Sequence, residues 1–240
     1  MIVQVTTENQ ELLTRFFDEH PHPQLAKIEC RHRAYGLGYE FCRFFLCLSG
    51  EEVTTAVLLF GNTVLLFTVG GDLSELVQWL SMLPATPVSV NAAGRELLNS
   101  PRTGLILFCE PCEPLSPPPE GRLDDAFSIL RQAFGEEQYN DETYSEWYCD
   151  MSHNLRHGVS RLFVEESATA TALCVTERLV VLNQIAVLPS EQGKGTGRAF
   201  VRRVAAQFPG RRVYVYSRNS GTDAFYRRVG FHEFENWIEG

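Results

Sequence analysis

Three glycines at alternate positions, Gly193, Gly195 and Gly197, interleaved with Lys194 and Thr196 and followed by Arg198, form the part of this chain best suited to holding an anion. Glycine lets the backbone take positive φ and approach a ligand closely, and the unpaired N–H groups that open a helix favour phosphate. The flanking sequence supplies the rest. An apolar run ending at Val187 and Leu188 reads as a buried strand, Pro189 closes it, and Gln192-Gly-Lys-Gly-Thr-Gly197 leads into a periodic apolar helix. Farther on, Val213 to Asn219 reads as a strand and Gly221 to Val229 as a short helix that carries Tyr226 and ends at Gly230-Phe231.

Other phosphate loops fit less well. The chain has no Gly-x-x-x-x-Gly-Lys-Ser/Thr, and the spacing after the strand is not the dinucleotide Gly-x-Gly-x-x-Gly. The stretch resembles the coenzyme A loop of the GNAT acyltransferase superfamily, whose pattern Gln/Arg-x-x-Gly-x-Gly/Ala is met by Gln192, Gly195 and Gly197. A second motif of that family, an Asn seven residues before a Tyr and then Gly-Phe, is met by Asn219, Tyr226, Gly230 and Phe231.

The resemblance implies transfer of an acyl group, most simply acetyl from acetyl-coenzyme A, to a small-molecule or peptide amine by direct attack, with no acyl-enzyme and no metal. It gives the amides of Gly193, Lys194, Gly195, Thr196, Gly197 and Arg198 to the pyrophosphate, and the strand edge Ile185, Ala186 and Val187 to the pantetheine arm. Asn219 is assigned to the arm or the loop, or else is a turn residue ending a strand. Tyr226 is the candidate acid for the departing thiolate, since a phenol and a thiol have comparable pKa values; packing beside Phe225 is its other reading. Many relatives carry a carboxylate four residues before the position of Val187. Here that residue is Asn183, followed by Gln184, and neither accepts a proton at neutral pH, although both can orient a water. Glu165, Glu166 and Glu177 at expected hairpin turns, and His153 and His157 before a strand, read as surface groups. No base is named. A non-catalytic acyl-coenzyme A binding or sensing module is therefore the alternative. Cys174, among apolar strand residues, reads as an inert buried thiol, and the aromatic cluster Tyr144, Trp147 and Tyr148 falls where similar proteins shape the acceptor site, with core packing an equal explanation.

The elements that must position these groups form a pattern that occurs twice. In the first half, Thr7-Glu-Asn-Gln10 has the form of a capping box before a helix burying Leu12, Leu13, Phe16 and Phe17, and Leu25 to Arg33 reads as a second helix. Phe41 to Leu48, Val53 to Phe60 and Thr63 to Val69 read as a strand meander; a helix capped by Asp72 with Leu73, Leu76, Val77 and Leu80 inward follows. A strand at Val88 to Val90, a short helix near Arg95 to Leu98 and a strand from Leu105 to Cys109 complete it. The proline-rich stretch 111–120 reads as an extended linker. The second half repeats the order: helices at Leu123 to Phe134 and Glu142 to Cys149, strands at Arg161 to Val164, Thr169 to Val175 and Leu179 to Val187, then the glycine-loop helix and the last strands. This predicts an α/β chain of two tandem GNAT-like lobes, residues 1–110 and 121–240, with the coenzyme A loop only in the second. In the first, Asp72 and Glu75 would set carboxylates beside any pyrophosphate.

Composition agrees with this reading. The net charge is −9; residues 1–120 carry 7 Lys and Arg against 14 Asp and Glu, and residues 121–240 carry 14 against 16. That balance argues against nucleic acid. Lys194, Arg198, Arg202, Arg203, Arg211, Arg212, Arg218, Arg227 and Arg228 gather in or after the glycine loop, as an anionic cofactor would favour. Seven cysteines without regular spacing suggest free thiols in a reducing compartment, and the lone Cys109-Glu-Pro-Cys112 predicts neither zinc nor redox chemistry. With no run of membrane-spanning length and no leader pattern at Met1, a cytoplasmic location without membrane contact is expected.

Overall fold

The computed structural model describes residues 1–84, 87–99, 101–111 and 113–240. Cys112, and with it the expectation for Cys109-Glu-Pro-Cys112, lies outside the described residues. Contacts divide the chain into two compact units, Met1–Ile106 with Glu235–Gly240, and Leu107–Phe234. The C-terminal six residues thus count with the first unit, an exchange that boundaries at 110 and 121 do not anticipate.

The first unit runs β1 (Ile2–Gln4), α1 (Gln10–Glu19), α2 (Pro23–Tyr35), β2 (Cys42–Ser49), β3 (Glu52–Phe60), β4 (Thr63–Thr68), α3 (Ser74–Ser81), β5 (Val88–Asn91), a 3-10 turn (Ala92–Leu97) and the start of β6 (Arg102–Cys109). Its strand order is β1-β2-β3-β4-β5-β11, where β11 is His232–Glu239. β1 to β4 are antiparallel, β5 joins β4 in parallel, and Trp237 of β11 stands opposite Asn91 of β5. The period of two in β2 sends Cys42, Phe44 and Leu46 against Leu13, Phe16 and Phe17 of α1 and Leu25 and Ile28 of α2. β3 is buried on both faces, so Val57 and Leu59 join Leu66, Leu76, Val90 and Ile238 in a second cluster.

Three local expectations are corrected here. Thr7 and Gln10 form no capping box: Asn9 is the N-cap, and its side chain is engaged backwards, accepting Thr6 N–H at 2.7 Å and donating to Gln4 O at 3.0 Å. Of the expected inward face of α3 only Leu76 is fully buried; Leu73 and Leu80 are half-buried against the same cluster, and Val77 is 43% exposed. β1 went unseen, since three residues are too few to show alternation.

Two polar groups inside this unit lead to measurable expectations. Asn91, buried in β5, stands where the β4–β5 ladder ends; its side chain accepts Thr68 N–H and donates to Thr68 O, both at 2.9 Å, in place of a further backbone pair. Asn91→Ala leaves both Thr68 backbone groups buried and unpaired, and should lower the unfolding free energy in urea by about 2–4 kcal/mol, on the order of 1–3 per group. On α2, burial holds the His32 imidazole below its ordinary pKa of 6.5, with Nε2 unpartnered and the ring edge-on to Phe44 at 5.3 Å. Below pH 6.5 the unfolded chain then binds a proton that the native state refuses. Stability contributed by this group is complete above that pH and falls as the solution is acidified; His32→Phe should flatten that part of the melting-temperature profile.

The second unit continues from the end of β6 through α4 (Leu123–Phe134), α5 (Asp141–Arg156), β7 (Arg161–Glu165), β8 (Ala168–Val175), β9 (Leu179–Val187), a 3-10 turn (Pro189–Glu191), α6 (Thr196–Ala205), β10 (Arg212–Ser217), α7 (Ser220–Val229) and the start of β11. Its strand order is β6-β10-β9-β8-β7, mixed as in the first unit: β7, β8 and β9 are antiparallel and β10 is parallel to β9. A lone bridge from Glu120 to Phe163 stands where the first unit has β1. Phe127, Ile129 and Leu130 of α4 pack on Leu162, Val164 and Ala186. α5 opens with an Asn140–Thr143 capping box and runs past the expected Cys149 to Arg156, burying Met151 and Asn154. Among the described residues no helix is long and apolar enough to cross a membrane.

Candidate acyl-transfer site

The site is built on the end of β9. Its parallel ladder with β10 pairs Leu179–Leu182 with Arg212–Val215, yet β9 runs five residues farther, to Val187. On the β8 side the register slips: Asn183 faces Thr171 and Ala186 faces Thr169, so three steps on β9 span two on β8. Gln184 and Ile185 form this bulge, and Gln184 has φ 50, the one non-glycine positive φ among the described residues. A bulge bends its strand and sharpens the twist. The stretch Ile185–Val187 has no β10 partner, although it stays in register with β8 and its Val187 carbonyl is taken by Gln192 of the following loop.

The loop after β9 returns to this edge. Gln192 Nε2 donates to Val187 O at 3.0 Å, which ties the loop to the strand it follows. Gly193 and Gly195 lie at φ 76 and φ 88, where a side chain would strain the backbone. Gly197 does not share that conformation, contrary to expectation; it is helical, and a Cβ there would meet Val187 Cγ2 at 3.2 Å and the Phe225 ring at 3.5 Å. Its role is close packing of three elements. α6 begins at Thr196 with Gly195 as N-cap and no side-chain hydrogen bond to its first turn, so the N–H groups of Thr196, Gly197 and Arg198 are uncapped donors. Of the nine cations expected to serve an anion, several are already paired: Lys194 with Glu191, Arg202 with Glu113, Arg203 with Glu165, Arg212 with Glu110 and Arg227 with Glu233. The helix terminus and the exposed Arg198 carry the phosphate argument.

α7 closes the arrangement. The Asn219 side-chain oxygen accepts Thr222 N–H at 3.0 Å and Thr222 Oγ1–H at 3.1 Å, capping α7 and leaving its amide hydrogens for other partners. Tyr226 is buried, its ring 5.2 Å from Phe225 and 5.6 Å from Phe231. Burial raises its hydroxyl well above the ordinary tyrosine range. The proton stays on the phenol, but the distance to a thiol pKa widens.

No carboxylate takes the place of a base on β9. Asn183 is exposed, with Oδ1 accepting Gln184 N–H at 2.9 Å. Glu165 is paired with Arg203 at 2.6 Å, Glu166 and Glu177 are exposed, and His153 stacks on His157 at 4.3 Å on α5. Cys174 is buried and Cys149 exposed. Sequence reasoning missed the bulge and the bond from Thr171 to Gln184; the sole hint was an apolar run interrupted by Asn183-Gln184.

The first unit has the same parts in a different state. Asn91 joins β5 to β4 just past their ladder, where β9 stands open. Asp72 Oδ1 accepts Ser74 N–H at 2.9 Å at the start of α3, and Glu75 is paired with the Met1 amino group at 2.8 Å. The helix terminus that would face a phosphate already holds a carboxylate.

Residues 155–233 match the family described as acetyltransferase (GNAT) domain. No curated protein matches the chain. Among solved structures, it is similar to a tandem GNAT protein from the clavulanic acid biosynthesis pathway (TM-score 0.62, 10% identity, covering 100% of this chain and 97% of that one). It is also similar to a GCN5-related N-acetyltransferase from Sphaerobacter thermophilus (0.61, 15%, 100% and 94%) and a GNAT-family acetyltransferase from Colwellia psychrerythraea (0.59, 11%, 100% and 98%). At these identities the likeness is one of fold. Residues 155–233 thus match a GNAT acetyltransferase domain, and the chain as a whole has the fold of a tandem GNAT protein, two GNAT-like lobes in one chain.

Proposed function

We propose that the chain is an N-acyltransferase, moving an acetyl group from acetyl-coenzyme A to a primary amine of a small molecule or peptide by direct attack in a ternary complex. One observation carries this reading: the unpartnered edge of β9 leads directly to the uncapped N-terminus of α6. The edge Ile185–Val187 pairs with the amides of the pantetheine arm, and the loop from Gly193 to Arg198, held to the strand by Gln192, receives the pyrophosphate. Asn219 offers its amide hydrogens to the same arm. The amine nitrogen attacks the thioester carbon, the C–S bond breaks, and the sulfur leaves as thiolate, taking the proton of Tyr226. The nitrogen loses its proton to a water, and solvent restores the tyrosine.

In this reading the first unit, residues 1–110 by sequence, holds no cofactor, because Asn91 and Asp72 occupy the equivalent places. Calorimetric titration with coenzyme A should give one site per chain; two sites would overturn the assignment of the lobes. The second reading, a binding or sensing module, draws on the raised Tyr226 hydroxyl and on Asn183 in place of a carboxylate. Free-thiol release from acetyl-coenzyme A with a panel of primary amines separates them: turnover with any amine establishes the enzyme, and binding without turnover the module.

A further inference from the structure

Among the described residues one carboxylate oxygen is buried without a hydrogen-bond partner, Asp223 Oδ1 on α7. The donors nearest to it in sequence are engaged elsewhere. Thr222 gives both its N–H and its hydroxyl hydrogen to Asn219 Oδ1, the Asp223 N–H closes the first turn onto Asn219 O, and Arg227, one turn on, is paired with Glu233. Holding a carboxylate oxygen away from water with nothing to accept from is costly, and groups kept at that cost collect at sites that a ligand completes.

The place of Asp223 on the helix says which ligand. Asn219, Asp223 and Tyr226 follow at intervals of four and three, so they stand on one face of α7, about a turn apart. Asn219 and Tyr226 are the α7 residues assigned above to the cofactor arm, with Tyr226 at the sulfur. At a rise of about 1.5 Å per residue, Asp223 lies about 4.5 Å back from Tyr226 along the helix, and Asn219 about 6 Å farther. On standard bond lengths, extended pantetheine has its first amide nitrogen about 4 Å from the sulfur and its second about 5 Å beyond that. The two amides therefore fall beside Asp223 and Asn219. Asn219, with its oxygen spent on Thr222, presents hydrogens for a carbonyl, whereas Asp223 presents an oxygen for an N–H. The end of β9 does not offer that acceptor at Val187, whose carbonyl already accepts Gln192 Nε2–H at 3.0 Å.

We propose that Asp223 is a positioning and specificity residue for the acyl donor: its Oδ1 accepts the amide N–H two carbons from the sulfur, and so fixes the thioester along α7. This deepens the acyltransferase reading and rests on it. A charge-assisted bond is stronger than a neutral one and needs a hydrogen to receive, so the site takes thioesters with an amide at that position and refuses those with an ester oxygen there.

The test is calorimetric, with coenzyme A and an analogue whose cysteamine nitrogen is replaced by oxygen. The native chain should bind the analogue about 10- to 100-fold more weakly, the range for a hydrogen bond to a charged group. Asp223→Ala should lose a similar factor for coenzyme A and bind the two ligands alike, and Asp223→Asn, which keeps an acceptor oxygen without the charge, should fall between. The melting temperature of the ligand-free chain should hold or rise in both variants, because an unpaired buried carboxylate is removed; a residue that served only the fold would lower it and leave the ratio of the two ligands unchanged. If Asp223→Ala melts lower than the native chain, the ligand ratio in Asp223→Asn decides. Equal affinity of the native chain for the two ligands, native affinity for coenzyme A in Asp223→Ala, or a preference for the amide that survives both substitutions would each overturn the assignment of Asp223. A native chain that binds neither ligand would overturn the acyltransferase reading beneath it instead.

Discussion

Gly195→Asp should abolish coenzyme A binding while leaving a folded protein. Gly195 lies at φ 88, and nothing stands within 4 Å of the position a Cβ would take. Aspartate tolerates that backbone region better than most side chains, so the penalty to folding is modest. Its carboxylate would project beside the uncapped first turn of α6, in the place assigned to the pyrophosphate. Like charges about 4 Å apart near a protein surface repel by about 4 kcal/mol, which is about a thousandfold in affinity. Gly195→Ala is the control, carrying the backbone strain without the charge. Calorimetry that finds the Asp variant binding as tightly as the native chain, with its melting temperature intact, would show that the anion seat is elsewhere.

Tyr226→Phe should lower kcat by about 10²–10⁴-fold, the usual range for loss of a general acid. The ring is kept, so its contacts with Phe225 and Phe231 survive, and the KM for acetyl-coenzyme A should change little. A loss confined to kcat fits proton donation; a raised KM alone would make the hydroxyl a binding contact. Because burial lifts the phenol far above its ordinary range, Tyr226 should set no alkaline limb on the rate below that range. Full turnover by the Phe variant would leave protonation of the thiolate to water.

Much of this was legible in the residues, and for identifiable reasons. Apolar periodicity of two or 3.6 marks any element long enough to repeat it, which is why α4 begins and ends where expected and the two meanders are placed to within a residue or two. The glycine loop and the Asn219–Tyr226 spacing are likewise local: a strand, a turn and a helix start are enough to propose an anion seat with no help from distant residues. Two local details still failed. The capping box at Thr7 lost to a tighter turn in which Asn9 reaches back to β1, and Gly197 proved to be a packing residue, because its neighbours Val187 and Phe225 come from other elements.

What the tertiary structure alone decided is how the strands end. Whether β9 continues past its ladder with β10, and whether Asn91 closes the equivalent place between β4 and β5, depends on register between strands far apart in the chain, and no periodicity encodes register. The same holds for the exchange that puts β11 beside β5. The sequence by itself singled out the residues proposed to hold an anion and the phenol proposed to give up a proton, because those readings rest on residue type and short spacing. Only the fold decided that the edge proposed for the cofactor lacks a β10 partner in one lobe and that Asn91 closes its counterpart in the other, because an edge is open or sealed according to what packs beside it.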